Sequence, residues 1–427
     1  MSRDDNLHAV CASAPGKVIL FGEHAVVYGH PAVAASLSDL RIFVKVTPKH
    51  QSNKVTVKML DLPIPVNVSF LSTSIQIPSL HQPPTKEDEA TIHKHIMISN
   101  GGLDEMVLSA LTPLIYLINI IAPSHLDHGL EVEVRSQALP VGAGLGSSAA
   151  FSVAATSALI GITLQRPPGL GRPTTDQLEL INQYAFYSET LLHGTPSGID
   201  NSVSTFGGAI EFTKLQGIVT MSHFAMPTLD MVLTNTHVAR STMAMVARVK
   251  AMKDDHPAVV DSILGAMGAI AKQFRDFRDI RCKGELILTL VRTNQHLLRA
   301  VGVSHPSLDC ICELVNVVAQ GDAATKLTGA GGGGCSMTVL KPGCDSELSR
   351  KIQDSLEKGG AHQWTFTCLR SSVGREGVLW IDPLLFPRAE MRQKRNSRAS
   401  RVLFGALMAA AAVGATLIMR QGCKQKK

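Results

Sequence analysis

The residues in this 427-residue chain best placed to do chemistry sit in and around glycine-rich blocks. The most informative is Pro140-Val141-Gly142-Ala143-Gly144-Leu145-Gly146-Ser147-Ser148-Ala149-Ala150. Before it, Leu130, Val132 and Val134 alternate with Glu131, Glu133 and Arg135; after it runs an apolar, alanine-rich stretch. That order predicts strand, turn and helix. Glycines let a backbone approach a ligand closely, and the first N–H groups of a helix are unpaired and partly positive, so the block suits a polyphosphate. No lysine follows the last glycine, unlike the common nucleotide P-loop, and Ser147-Ser148 replaces the spacing a dinucleotide fingerprint needs. A purely structural turn is the other reading.

A second run, residues 326–335, holds four consecutive glycines, which are costly to order unless a close backbone approach requires them. A flexible hinge is the alternative. In residues 14–29, Lys17, Glu23 and His24 interrupt otherwise apolar strands, and ionisable groups in such places need partners, so the three point to a polar pocket. Each alone would read as a surface group. Leu178, Ile181, Ala185, Glu189 and Leu192 recur at helical spacing, which puts Glu189 on a buried face, where it needs a metal ion or a base. At the edge of that stripe it would simply reach water. Residues 193–201 form a tight turn that presents Asp200, for which an ordinary turn-forming aspartate is the bland reading.

The elements that must position these residues are mixed. Residues 9–47 read as sheet, 81–102 as an exposed loop, 103–121 as a core helix bent at Pro113, and the helix starting at Asp176 takes that residue as its cap. Residues 242–320 are mostly helical, and strand-like runs follow at 364–369 and 378–381. With 45% hydrophobic and 18% charged residues, the chain is a packed α+β protein of two lobes rather than a disordered or disulfide-stapled one. Residues 388–427 hold ten Lys or Arg and one acid, so the remainder, 31 basic against 34 acidic, is near −3. Together with 4% aromatic residues, this balance gives no support to nucleic-acid binding. Eight scattered cysteines without paired CxxC spacing fit reduced thiols in the cytosol, and the start of the chain lacks the basic and apolar regions of a signal peptide.

Taken together, residues 14–29, 140–150 and 326–335 resemble, in order and spacing, the three motifs of the GHMP small-molecule kinases, and residues 193–201 are similar to the branch that acts on mevalonate. The resemblance implies a two-lobed fold: an N-terminal ATP-binding lobe like ribosomal protein S5 domain 2 over 9–225, and a ferredoxin-like α+β sandwich over 226–382. It implies ATP-dependent phosphorylation of the primary 5-hydroxyl of (R)-mevalonate, on the route to isoprenoids and sterols, with Mg²⁺ and a homodimeric assembly. Carried across by position, Pro140, Gly142, Ala143, Gly144, Leu145, Gly146, Ser147 and Ser148 would wrap the ATP phosphates, and Ser148 and Glu189 would hold Mg²⁺. Asp200 would take the hydroxyl proton, with Lys17 beside it. Glu23, His24, Thr242 and Gly331 would line the acceptor site.

Residues 383–427 form a basic tail in which 402–419 is an uncharged apolar run of 18 residues. As a helix it would span about 27 Å, close to a bilayer core. It fits a membrane anchor, a surface or partner-binding helix, or an alternative terminal exon.

Overall fold

The computed structural model describes residues 9–387 except 50–51, 53, 60, 62–65, 72–81, 100–102, 104, 141–142, 165–168, 195, 227, 278–282, 345 and 359–363. The tail run 402–419, and with it the anchor reading, lies outside the described residues, as does Gly142. Among the described residues no helix is long and apolar enough to cross a membrane.

The chain opens with two long strands, β1 (Val10–Phe21) and β2 (Ala32–Pro48), joined through a 3₁₀ turn at Ala25–Tyr28. β3 (Lys54–Met59) and β4 (Val66–Leu71) form a hairpin, followed by α1 (Lys86–Ser99), α2 (Glu105–Ile121) and β5 (Leu130–Gln137). Next come α3 (Ser147–Thr163), α4 (Thr175–His193) and α5 (Ile199–Phe206), then β6 (Ala209–Leu215), β7 (Ile218–Phe224) and β8 (Leu229–Asn235). The last part holds α6 (Thr242–Asp255), α7 (Pro257–Arg275), α8 (Gly284–Ala300), α9 (Pro306–Ala319), β9 (Ala323–Leu327), β10 (Cys335–Leu340), α10 (Ser346–Lys358), β11 (Thr367–Val373) and β12 (Leu379–Ile381).

One twelve-stranded sheet runs through both halves in the order β4-β3-β5-β2-β11-β8-β10-β9, with β1 and β6 also pairing with β2. It is antiparallel except for β3 against β5. Strand β5 keeps the alternation seen in sequence: Leu130, Val132 and Val134 face the core, while Glu131 and Glu133 pair outside with Lys58, Lys49 and Lys45. Helix α3 sits at the centre. Its small side chains, Ser152, Ala154, Ala155, Thr156, Ser157 and Ala158, are buried, which lets its backbone lie close to β1, β2 and α4.

Several local expectations are corrected. Residues 86–99 are helix α1, not an exposed loop: the Asp88 N–H bonds Thr85 Oγ1 at 3.2 Å, the Thr85 N–H bonds Asp88 Oδ2 at 2.6 Å, and Ile92 and Ile96 are buried. The reciprocal cap and the spacing of four outweigh the charged, proline-led composition. α4 is capped by Thr174, which exchanges bonds with Gln177, so Asp176 sits in the first turn instead. Glu23 and His24 lie just after β1 rather than within a strand, and Asp200 opens α5 rather than a bare turn. Helix α10 has no counterpart in the sequence expectations.

Candidate active site

Lys17 and Asp200, distant in sequence, meet in space: Lys17 Nζ lies 3.3 Å from Asp200 Oδ1. Two local anchors produce this. Ser204, one turn after Asp200 on α5, donates to the Pro15 carbonyl at 2.7 Å, and the Lys17 N–H donates to Leu145 O at 2.8 Å. The first strand, α5 and the phosphate-type loop are thereby locked together.

The pair opens onto a cavity of about 700 Å³, whose wall includes Gly144, Gly146, Ser147 and Ser148 at the mouth of α3. No side chain caps this helix start, so its N–H groups point toward whatever enters. Gly144 has φ of 79°, and a Cβ there would fall 1.7 Å from Arg240 Nη2. Arg240 itself is half-buried between the two glycine loops, donates to Ala143 O at 3.2 Å, and leaves its buried Nη1 without a hydrogen-bond partner. Burial pulls its guanidinium below the ordinary value, although such a group stays charged.

Ser148 Oγ donates to Glu189 Oε2 at 3.1 Å and lies 3.2 Å from His193 Nε2. The other carboxylate oxygen, Oε1, accepts from Ser152 at 3.0 Å. Burial first, and the nearby charge of Asp200, push the Glu189 carboxyl up to about 7, against the opposing bonds from Ser152 and Ser148. Partial desolvation lowers His193, whose side chain remains half exposed 3.6 Å from Glu189 Oε2.

His24 adopts φ of 61°, a backbone that costs a non-glycine residue about 1–3 kcal/mol. Its Nε2 lies 2.9 Å from Ala330 O; since a carbonyl only accepts, Nε2 carries the proton. Burial lowers the His24 pKa, against the raising effects of that bond and of Glu23.

Of the residues expected from sequence, Lys17, Glu23, His24, Gly144, Gly146, Ser147, Ser148, Asp200 and Thr242 line the one cavity, and Glu189 adjoins it through Ser148. Gly329 and Ala330 reach the wall, whereas Gly331 packs against Val303, where a Cβ would meet the carbonyl oxygen at 2.1 Å. Leu145 is buried, Ala143 contributes its carbonyl to Arg240, and Pro140 is not on the cavity wall. Sequence reasoning missed Arg240, Ser152 and His193. Ser152 follows Ser148 by one helical turn and His193 follows Glu189 by one turn, spacings that could have disclosed both; Arg240 stands in an irregular segment with no periodic signal.

Beyond the phosphate-type loop the cavity wall is mainly apolar, with Ile42, Met59, Pro113, Val134 and Phe151 forming an arm that also carries Asp61 and Ser136. An anion-binding helix mouth, a lysine–carboxylate pair and an apolar arm in one cleft suit transfer of a charged group from a nucleotide.

The family described as GHMP kinases N terminal domain matches residues 112–208. Mevalonate kinase of Homo sapiens is 38% identical over 385 residues, covering 86% of this chain and 93% of its own. That of Arabidopsis thaliana is 34% identical, covering 86% and 98%. Among solved structures, L. major mevalonate kinase in complex with R-mevalonate shares the fold with a TM-score of 0.63 at 24% identity, covering 86% of this chain and 96% of that one. Methanococcus jannaschii mevalonate kinase does so with 0.63 at 20% identity, covering 89% and 100%. With relatives this similar along nearly their whole length, and with the phosphate-type loop inside the matched segment, the chain belongs to the mevalonate kinases of the GHMP kinase family.

Proposed function

We propose that this chain transfers the γ-phosphoryl group of ATP to the primary 5-hydroxyl of (R)-mevalonate. The observation that carries the reading is the 3.3 Å Lys17–Asp200 pair facing the open start of α3. With the acceptor hydroxyl beside Asp200, its oxygen bonds the γ-phosphorus, the bond from that phosphorus to the β–γ bridging oxygen breaks, and the hydroxyl proton passes to the Asp200 carboxylate. ADP leaves with the electron pair. Such transfer needs positioning and positive charge around spreading negative charge more than covalent chemistry. Lys17, the α3 N–H groups and the Arg240 guanidinium supply that charge from this chain.

The Ser148 hydroxyl and the buried Glu189 carboxylate are hard oxygen donors 3.1 Å apart, a set that suits Mg²⁺. Bound there with nucleotide, Mg²⁺ would neutralise phosphate charge. Ser152 fixes Glu189 from the far side, at 3.0 Å. The apolar arm suits the nucleotide base, and His24 and Thr242 suit the acceptor. A 226–382 lobe packed on 9–225 and a cytosolic homodimer belong to the same reading; the tail run 402–419 stands apart from it, as a membrane anchor, a surface or partner-binding helix, or an alternative terminal exon. Sedimentation velocity reads the assembly; fusing residues 388–427 to a fluorescent protein reads the tail, and a wholly soluble signal would remove the anchor.

Comparing ADP release with mevalonate, phosphomevalonate, homoserine and galactose tests the reaction. Turnover is expected with mevalonate; preference for another acceptor would overturn the assignment.

A further inference from the structure

A second concentration of buried charge lies where the turn after β1 meets the second glycine loop. Lys326, at the end of β9, is fully buried and pairs with Glu23, and its ammonium also donates to Leu327 O at 2.7 Å. The second Glu23 oxygen accepts from Asn294 Nδ2 on α8 at 3.3 Å. Two further links cross the same seam: His24 Nε2 to Ala330 O at 2.9 Å and Thr328 Oγ1 to Ile19 O at 3.1 Å. Gln295 Oε1 accepts from the Leu327 N–H at 2.9 Å, fixing the strand end that leads into the glycine loop. These seam-crossing contacts join residues 303 to 309 positions apart, so nothing local to either segment sets the geometry.

A buried ion pair adds little net stability over apolar side chains of equal volume, because desolvation offsets the attraction. What it supplies is a fixed distance and orientation. Glu23 reaches the cavity wall beside His24, Gly329 and Ala330, but both its oxygens are already committed to protein groups.

We propose that the Lys326–Glu23 pair is a positioning device for the acceptor half of the cleft: it holds His24 and the Gly329–Ala330 wall in place and acts through them, without touching substrate. This rests on the phosphoryl-transfer reading above.

The test is the full chain carrying Glu23→Gln and Lys326→Met together, which removes both charges and strands neither. The folded double variant should show an acceptor KM raised about tenfold or more with nucleotide KM within about twofold of wild type. Adding His24→Gln should then cost nothing further, since residues acting through one group are not additive. A folded double variant with wild-type acceptor KM, or losses that multiply with His24→Gln, overturns the proposal. If the double variant does not fold, Asn294→Leu takes one bond from Glu23 without stranding a charge. A raised acceptor KM there supports positioning, and an unchanged one overturns it. Wild-type protein inactive on mevalonate would defeat the reaction instead. The His24 Nε2–H, hydrogen-bonded to Ala330 O, should then give a protected NMR signal that still decides: lost in the double variant, it supports positioning, and retained, it refutes it.

Discussion

Glu189 shows how a residue's surroundings set its chemistry. Burial and the charge of Asp200 raise its carboxyl to about 7, so without a cation it is partly protonated near neutrality. Binding a cation needs the carboxylate, so the proton must leave. Affinity for Mg·ATP, measured by titration calorimetry, should therefore strengthen as pH rises from 6 to 8, and this slope should flatten in Glu189→Gln. Ser152 reaches the oxygen that Ser148 does not, at 3.0 Å. Arg240 sits against Ala143 and Gly144 with Nη1 unpaired. Arg240→Ala should lower kcat/KM by about 10²-fold or more while the melting temperature changes little, and Arg240→Lys should restore only part, because a lysine presents one point charge where the guanidinium presents a fork. Wild-type kcat/KM in Arg240→Ala would remove it from the site.

At the level of elements, the cleft depends on how α3 begins, whereas the start of α4 serves stability alone. Gly144 works at φ of 79° against the Arg240 guanidinium, so Gly144→Ala should weaken nucleotide binding, read by calorimetry, while circular dichroism stays native. Thr174 caps α4 reciprocally with Gln177; Thr174→Ala should cost about 1 kcal/mol in denaturant unfolding, with KM values unchanged because the cap lies at the far end from Glu189. Much of this was legible in sequence. Alternating β5, the glycine turn and the alanine-rich run gave strand, loop and helix in the observed order, and the stripe from Leu178 to Glu189 gave a buried carboxylate. Helix α1 was obscured because Pro83-Pro84 and four charged residues resemble a solvent loop, while its cap pairs Thr85 with an aspartate rather than the usual glutamate or glutamine. Arg240, Lys326 and Asn294 acquire meaning only from contacts made across the sheet, which periodicity does not encode.

Across the whole molecule, five histidines are held below 6.5, but only the His24 ring is buried and that of His125 half-buried; His193, His223 and His237 are exposed, so solvent screens most of their effect. Unfolded, they would titrate at the ordinary value, so below about pH 6.5 the unfolded chain binds more protons than the folded one. Stability is then fully present above that pH and is lost as pH falls toward the folded values. Glu189, raised to about 7, acts oppositely between its ordinary range and 7. Between pH 7.5 and 5.5 the melting temperature of the unliganded wild type should therefore drop relative to that of His24→Gln; parallel curves would contradict the burial of the His24 ring.

Lys17 and Asp200, far apart in sequence, meet in one cleft, and the chemistry depends on that meeting. The most direct measurement is steady-state turnover of mevalonate with Mg·ATP by Asp200→Asn, alongside its nucleotide affinity and melting temperature. A folded variant that still binds nucleotide but has kcat reduced by about 10³-fold is the expected result. Near-normal kcat in that variant would contradict a proton-accepting role for Asp200.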